Sequence, residues 1–242
     1  MELGLKGKSA LVLAASTGLG RAIGASFCQE GVKTVICSSS EERINNTAKE
    51  IGAHPIVADL DRMSSVEPLA KACSDLIGTP DIIVINCGGP DAGKFLDNPK
   101  DIWELNYHRL WGVPVALLQH FLPGMLERGS GRILWVTSIA AQQVVPGITI
   151  SSSLRGGLHE LIKCLSDEYA GRGITVNALI PGYIATDRLK HLETDNVVPG
   201  HIPAGRLGRP EEFGDLAAFV ASDRAAYISG QCIACDGGWL RS

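Results

Sequence analysis

Residues 10–25, ALVLAASTGLGRAIGA, decide how the rest of the chain is read. Residues 10–14 are wholly apolar, as in a strand buried on both faces at the centre of a parallel sheet. Ser16, Thr17, Gly18 and Gly20 then break the run, and from Leu19 onward the pattern suits a helix. A small-residue turn feeding a helix makes an anion site, because the first-turn N–H groups lack intrahelical acceptors and the dipole adds positive charge. Gly18 and Gly20 would let a pyrophosphate approach the backbone, and Gly24 would allow close helix–strand packing. An ordinary tight turn has the same look, so the remaining chain has to decide.

Outward from that stretch, strand and helix patterns alternate. A second apolar run at 34–37 leads into Ser38-Ser39-Ser40-Glu41-Glu42, with serines suited to capping and acids suited to a first helical turn. A third run at 55–58 ends at Asp59-Leu60, and a helix pattern covers 64–76. The fourth, 81–85, ends in Asn86-Cys87-Gly88-Gly89-Pro90. The amphipathic stretch 99–127 holds Gly112 and Pro114, where a kink is expected. Strand 132–136 ends at Thr137-Ser138, helix 151–170 follows, and strand 174–180 is closed by Pro181-Gly182. Residues 186–208 have no clean period and several Pro and Gly, the pattern of a mobile substrate lid. A helix at 210–222 and a strand at 231–235 complete the order. The alternation predicts one α/β domain over 1–242, a doubly wound parallel sheet with helices on both faces. Ligands in such sheets sit beyond the carboxyl ends of the strands, where small and polar residues gather here.

Composition narrows the function. The chain has 242 residues, 45% hydrophobic and 20% charged, with formal net charge −4. That suits a soluble globular protein and not a nucleic-acid binder, which is normally basic. No apolar run reaches the roughly 20 residues needed to span a bilayer. The N-terminal residues enter the first strand directly, so a cytoplasmic chain without a targeting segment is expected. Of the seven cysteines, Cys28, Cys37, Cys73 and Cys164 lie in apolar surroundings and read as reduced core residues. Cys232 and Cys235 have the spacing of a metal or redox pair, but strand positions three apart face opposite sides. No metal site is expected.

The chain resembles the short-chain dehydrogenase/reductase family over its full length, most specifically in IPAGRLGRPEEFGDLAAFVASDRAAYISGQCIACDGG, which is similar to the end of 3-oxoacyl-(acyl-carrier-protein) reductases. NALIPGYIATD, residues 177–187, resembles the family's nicotinamide-side segment. The resemblance implies a seven-stranded Rossmann fold and a homotetramer built on the long helices. It also implies cofactor contacts from Ala14, Ser16, Thr17, Gly18, Leu19, Gly20, Asp59, Leu60, Asn86, Gly88, Pro181, Gly182, Ile184 and Thr186. Asp59 would accept from the adenine amine. The glycine turn departs from the family's Thr-Gly-x-x-x-Gly-x-Gly, since Leu13 and Ala14 replace its first two residues. The family's Asn-Asn-Ala-Gly becomes Asn86-Cys87-Gly88-Gly89. Its catalytic Ser is present as Ser138 and its helix Asn as Asn106, but Ser151 stands at the Tyr position and Arg155 at the Lys position. The sequence is similar to a reductase-like subgroup with that Ser and Arg pairing.

Those replacements change the chemistry. A tyrosinate beside a lysine exchanges a proton near neutrality; a serine hydroxyl does not. Arg155 keeps the charge and can bond the nicotinamide ribose, but it stays protonated. Ser138 can still polarise a carbonyl. Tyr183, Asp91, His159 and Tyr107 are weaker candidate acids: Tyr183 also suits packing under the lid, His159 falls far from the cofactor, and Tyr107 suits the core. After the second strand Ser38, Ser39 and Ser40 replace the acid that binds ribose hydroxyls in NAD users, with Arg43 a turn later. These groups can accept a 2′-phosphate or merely cap the helix, and the former favours NADP(H) over NAD(H). Val144, Val145 and Ile148 suggest a partly apolar substrate. The sequence therefore predicts an atypical NADP(H)-dependent oxidoreductase acting on a small carbonyl, 3-oxoacyl-like or another partly apolar ketone, or on the matching alcohol. The alternative is a dinucleotide-binding sensor or inactive partner subunit.

Overall fold

The structure is a computed structural model and describes residues 2–191 and 199–240. Seven parallel strands form one sheet: β1 (Ser9–Val12), β2 (Lys33–Ser38), β3 (His54–Val57), β4 (Ile82–Ile85), β5 (Gly131–Val136), β6 (Ile174–Pro181) and β7 (Cys232–Cys235). Their spatial order is β3-β2-β1-β4-β5-β6-β7, so the chain reverses direction across the sheet between β1 and β4. That crevice, outside the carboxyl ends of the strands, is where doubly wound sheets bind ligands.

The apolar runs explain both faces. Alternate strand residues point to opposite sides, so runs such as Ile82–Ile85 are buried throughout. Leu11, Ile83, Ile133 and Trp135 pack under α3 (Val66–Ile77), α5 (Val113–Arg128) and α6 (Thr149–Tyr169). Val12, Ile36, Val84 and Leu134 pack under α1 (Gly18–Gln29), α2 (Glu41–Ile51) and α8 (Pro210–Ala221). Two further helices, α4 (Lys100–Tyr107) and α7 (Asp187–His191), flank the carboxyl ends. Cys232 packs in the first core and Cys235 against the second, the opposite-facing arrangement that strand alternation demands.

The irregularity expected near Gly112 is a π-helical turn over His108–Gly112, between α4 and α5. Such turns widen a helix by one residue and cluster at functional sites. Two expectations need correction. Cys164 is exposed, because it lies on the solvent side of α6. Tyr107 is 52% exposed and not in the core; it meets His108 edge-on where the π turn begins. The expected lid at 186–208 is described in part: α7 and a short 3-10 turn at Pro199–His201 are seen, and 192–198 lie outside the described residues.

Candidate active site

The carboxyl ends of β1, β2, β4, β5 and β6 open into one cavity of about 740 Å³. Its central wall is the turn between β1 and α1. Ala14, with φ +47°, is the one non-glycine residue in the left-handed region among those described. The resemblance places a glycine there, and the structure shows why: the chain must turn sharply away from the sheet. Gly18 has φ +57°, and α1 begins without any side-chain hydrogen bond at its cap. Its first-turn N–H groups and its dipole therefore face the cavity beside Ser16, Thr17 and Leu19.

Gly20 serves differently from the expectation. It is not on the cavity wall; a Cβ there would lie 2.5 Å from the Ala14 carbonyl oxygen and 2.7 Å from Asn86 Nδ2. Its bare backbone lets the turn, α1 and Asn86 close on one another. Asn86 Nδ2 donates to the Ala14 carbonyl at 3.1 Å and so ties the end of β4 to the turn.

At one end of the cavity lie Ser38, Ser39, Arg43, Asp59 and Leu60. Ser38 Oγ accepts from Ser40 N at 3.2 Å. Ser40 stands off the wall, because its hydroxyl caps α2 by accepting from Arg43 N at 3.4 Å. Capping and lining are thus divided among the three serines. Asp59 accepts from Asp61 N and pairs with Arg62 at 3.1 Å.

At the other end lie Ser138, Ser151, Arg155, Pro181, Gly182, Ile184 and Thr186, with Gly88 on the intervening wall. Ser138 Oγ accepts from Ala140 N at 3.1 Å, which leaves its proton free to donate. Ser151 and Arg155 are one helical turn apart on the same buried face of α6. Arg155 is 5% exposed and donates from Nη1 to the carbonyls of Val136 at 2.8 Å and Thr137 at 3.2 Å, while its buried Nε has no partner. Burial pulls its pKa down to about 10, so it remains a cation at neutrality.

Asn106 is buried but does not reach the wall. Its Nδ2 donates to the Ile102 carbonyl at 2.8 Å within α4, and its Oδ1 takes a 3.5 Å bond from Arg109. The other candidate acids fare no better. Tyr183 lines the cavity, but its ring stacks edge-on with Trp239 and burial raises its pKa. Asp91 is fully exposed and pairs with Arg188 at 3.5 Å. His159 is off the wall, bonded to Thr137 Oγ1 at 3.0 Å, and burial lowers its pKa. Of the apolar trio, Val145 and Ile148 line the cavity, whereas Val144 is 84% exposed.

The lining residues outside the expected set include Asp61, Arg109 and Arg188, while Cys87 sits in the expected turn after β4. Arg109, carried inward on the π turn, grips Asp61 with Nε at 2.5 Å and Nη2 at 2.6 Å, joining α4 to the loop after β3. Its spacing from Asn106 was the available signal. Burial pushes the Cys87 thiol up to about 12, so it is neutral. Arg188 donates to the Pro90 carbonyl across the mouth.

The arrangement fits a nicotinamide dinucleotide: an uncapped helix N-terminus for the pyrophosphate, hydroxyls and an arginine at one end, and donors at the other. A family model described as Enoyl-(Acyl carrier protein) reductase matches residues 13–240. The 3-oxoacyl-(acyl-carrier-protein) reductase FabG of Vibrio cholerae is 32% identical over 244 residues, 98% of each chain. The oxidoreductase UcpA of Salmonella typhimurium is 33% identical over 254 residues, 97% of this chain and 95% of its own. L-Sorbose reductase of Gluconobacter frateurii, solved with NADPH and L-sorbose, matches with TM-score 0.92 at 27% identity over all of both chains. This chain belongs to the short-chain dehydrogenase/reductase family, NAD(P)-dependent oxidoreductases acting on CH–OH and C=O groups of small molecules.

Proposed function

We propose that the chain is an NADP(H)-dependent reductase of a small carbonyl compound, or oxidant of the matching alcohol, that works without a titrating side chain at the reacting oxygen. The observation that carries this reading is the placing of Ser138, Ser151 and Arg155, all donors, on one end of the cavity. When bound, the dinucleotide supplies the hydride. Gly18, Leu19 and the α1 N-terminus would hold its pyrophosphate, with Thr186 so near that a Cβ added at Gly18 would lie 3.6 Å from the threonine methyl. Asp59 and Leu60 flank the adenine. Ser38, Ser39 and Arg43 accept a 2′-phosphate, and no carboxylate among them repels it. NADPH in the sorbose reductase complex supports the same choice.

Ser138 donates to the carbonyl oxygen, and Arg155 and Ser151 stabilise the negative charge that grows there. Water supplies the proton, since Ser151 and Arg155 stand where the family places tyrosine and lysine. Asn106 shapes α4 from behind the wall and acts by position. Val145 and Ile148 give a partly apolar substrate its footing, which suits a 3-oxoacyl-like group or another ketone. The family likeness also supports a cytoplasmic homotetramer built on the long helices.

The test follows NADPH absorbance while the purified protein meets a panel of 3-oxoacyl thioesters and small ketones. Oxidation with at least one of them is expected. The lack of a titrating acid favours one other reading, a dinucleotide-binding sensor or inactive partner subunit. Tight NADPH binding with no turnover on any substrate would select it.

A further inference from the structure

Arg109 lines the cavity with its donor edges already spent. It sits in the π turn between α4 and α5, and its stem passes Gly88, where an added Cβ would lie 3.9 Å from Arg109 Cδ. Nε and Nη2 both donate to the carboxylate of Asp61, at 2.5 and 2.6 Å, and Nη1 reaches Asn106 Oδ1 at 3.5 Å. A fork-to-fork pair of this kind fixes the guanidinium in one plane. The same bonds raise its pKa against the effect of burial, so the cation is permanent. The side chain is nonetheless 20% exposed. With its edges turned to Asp61 and Asn106, what it offers an occupant of the cavity is a flat face.

The place of that face is set by its partner. Asp61 follows Asp59 and Leu60, and its N–H donates to Asp59 Oδ1 at 3.1 Å. Arg109 is therefore anchored to the loop that flanks the adenine in the reading proposed above. A purine whose edge meets Asp59 and Leu60 turns its broad faces to the cavity walls, and a flat ring binds best against a flat partner. Among the described residues lining the cavity, Tyr183 is the one aromatic ring, and it lies at the opposite end against Trp239. Guanidinium planes stack on aromatic rings, where the charge also meets the ring's π face.

We propose that Arg109, held flat by Asp61, stacks on the adenine ring of the bound dinucleotide. This deepens the NADP(H) reading and rests on it. Recognition at the adenosine end is then divided three ways: Asp59 and Leu60 meet the edge of the base, Ser38, Ser39 and Arg43 meet the 2′-phosphate, and Arg109 meets the face of the base. A face carries no donor or acceptor pattern, so the contribution of Arg109 is the same for any purine, whereas that of Asp59 depends on the exocyclic amine.

The test is a titration, followed by the fluorescence of the reduced nicotinamide, of the purified protein with NADPH and with its hypoxanthine analogue. The analogue changes the edge of the base and keeps the purine face. R109L is expected to weaken both ligands by the same factor, about fivefold or more. If the orphaned Asp61 prevents R109L from folding, D61N/R109L removes both charges and takes its place. R109K keeps the charge and a bond to Asp61 but loses the plane. It should weaken both ligands as R109L does, with a urea midpoint close to that of wild type. R109K binding NADPH within about twofold of wild type would show that the ion pair matters only as a strut, and would overturn the inference. So would a loss of affinity that comes with a matching fall in the urea midpoint of R109K. A loss confined to NADPH, with the hypoxanthine analogue unaffected, would mark an edge contact and overturn it as well. Each of these outcomes leaves the reductase reading intact. Failure of NADPH to bind the wild-type protein would overturn both readings.

Discussion

Replacing Gly20 by alanine tests whether the turn, α1 and β4 are as closely fitted as the structure shows. The added Cβ would meet the Ala14 carbonyl oxygen at 2.5 Å, Asn86 Nδ2 at 2.7 Å and Ala15 Cα at 2.8 Å. Two of these atoms are backbone, so no side-chain rotation relieves the clash. Forcing a methyl into a packed site costs about 1–3 kcal/mol. Pushing Asn86 away also breaks its bond to Ala14, worth about 1 kcal/mol. The helix-propensity gain of alanine over glycine, at most about 1 kcal/mol, offsets part of this. A net loss of about 2 kcal/mol follows. For a chain of this length it lowers Tm by roughly 4–8 °C. Gly24→Ala is the control, because its Cβ would meet only the side-chain methyls of Ile36 and Ile51 at 3.2 and 3.3 Å. Urea unfolding of both variants gives the comparison, and dinucleotide titration should show G20A weakened and G24A near wild type. G20A within about 0.5 kcal/mol of wild type would refute the close fit.

Gly18→Val should abolish NADPH binding in a folded protein, since a β-branched residue at φ +57° is strained and covers the pyrophosphate approach; calorimetry reads it. Ser38→Asp should shift the ratio of dissociation constants from NADPH toward NADH, and an unchanged ratio would show that the serine does not face the 2′-phosphate. The double change S151Y/R155K restores a tyrosine–lysine pair and should raise carbonyl reduction about 10²–10⁴-fold. A folded, NADPH-binding double variant that stays inert on every ketone wild type reduces would refute the assignment of these positions. Wild-type reduction should be flat from about pH 7 to 9 and fall above about 10, because the active form of Arg155 is protonated and loses its proton there. A bell-shaped profile centred near neutrality would reveal an acid elsewhere.

Much of the fold was legible because its signals are local. Residues 10–25 carry an apolar strand, a small-residue turn and a helix start, and each follows from the side chains present. The strand ends gathered Ser16, Ser38, Asp59, Asn86, Ser138 and Pro181 into one cavity, as parallel topology requires. What escaped depends on helix phase and on contacts between distant segments. A π turn adds one residue to a helical turn, so α4 periodicity could not show that Arg109 swings inward to Asp61 while Tyr107 turns out. The division of labour among Ser38, Ser39 and Ser40 depends on where α2 begins, a matter of one residue. Cys164 carried the wrong expectation because apolar neighbours in sequence are not neighbours in space on a helix that also faces solvent. Ala14 was read as a glycine substitute; that it holds a positive φ is a tertiary constraint.

Whether the cavity at the strand ends holds a phosphorylated nicotinamide dinucleotide decides what this chain does. The direct measurement is a fluorescence or calorimetric titration of the purified wild-type chain with NADPH and, separately, NADH. Saturable binding of one NADPH per chain is predicted, with NADH weaker because Ser38, Ser39 and Arg43 offer no carboxylate to its ribose. Binding of neither dinucleotide would contradict the account.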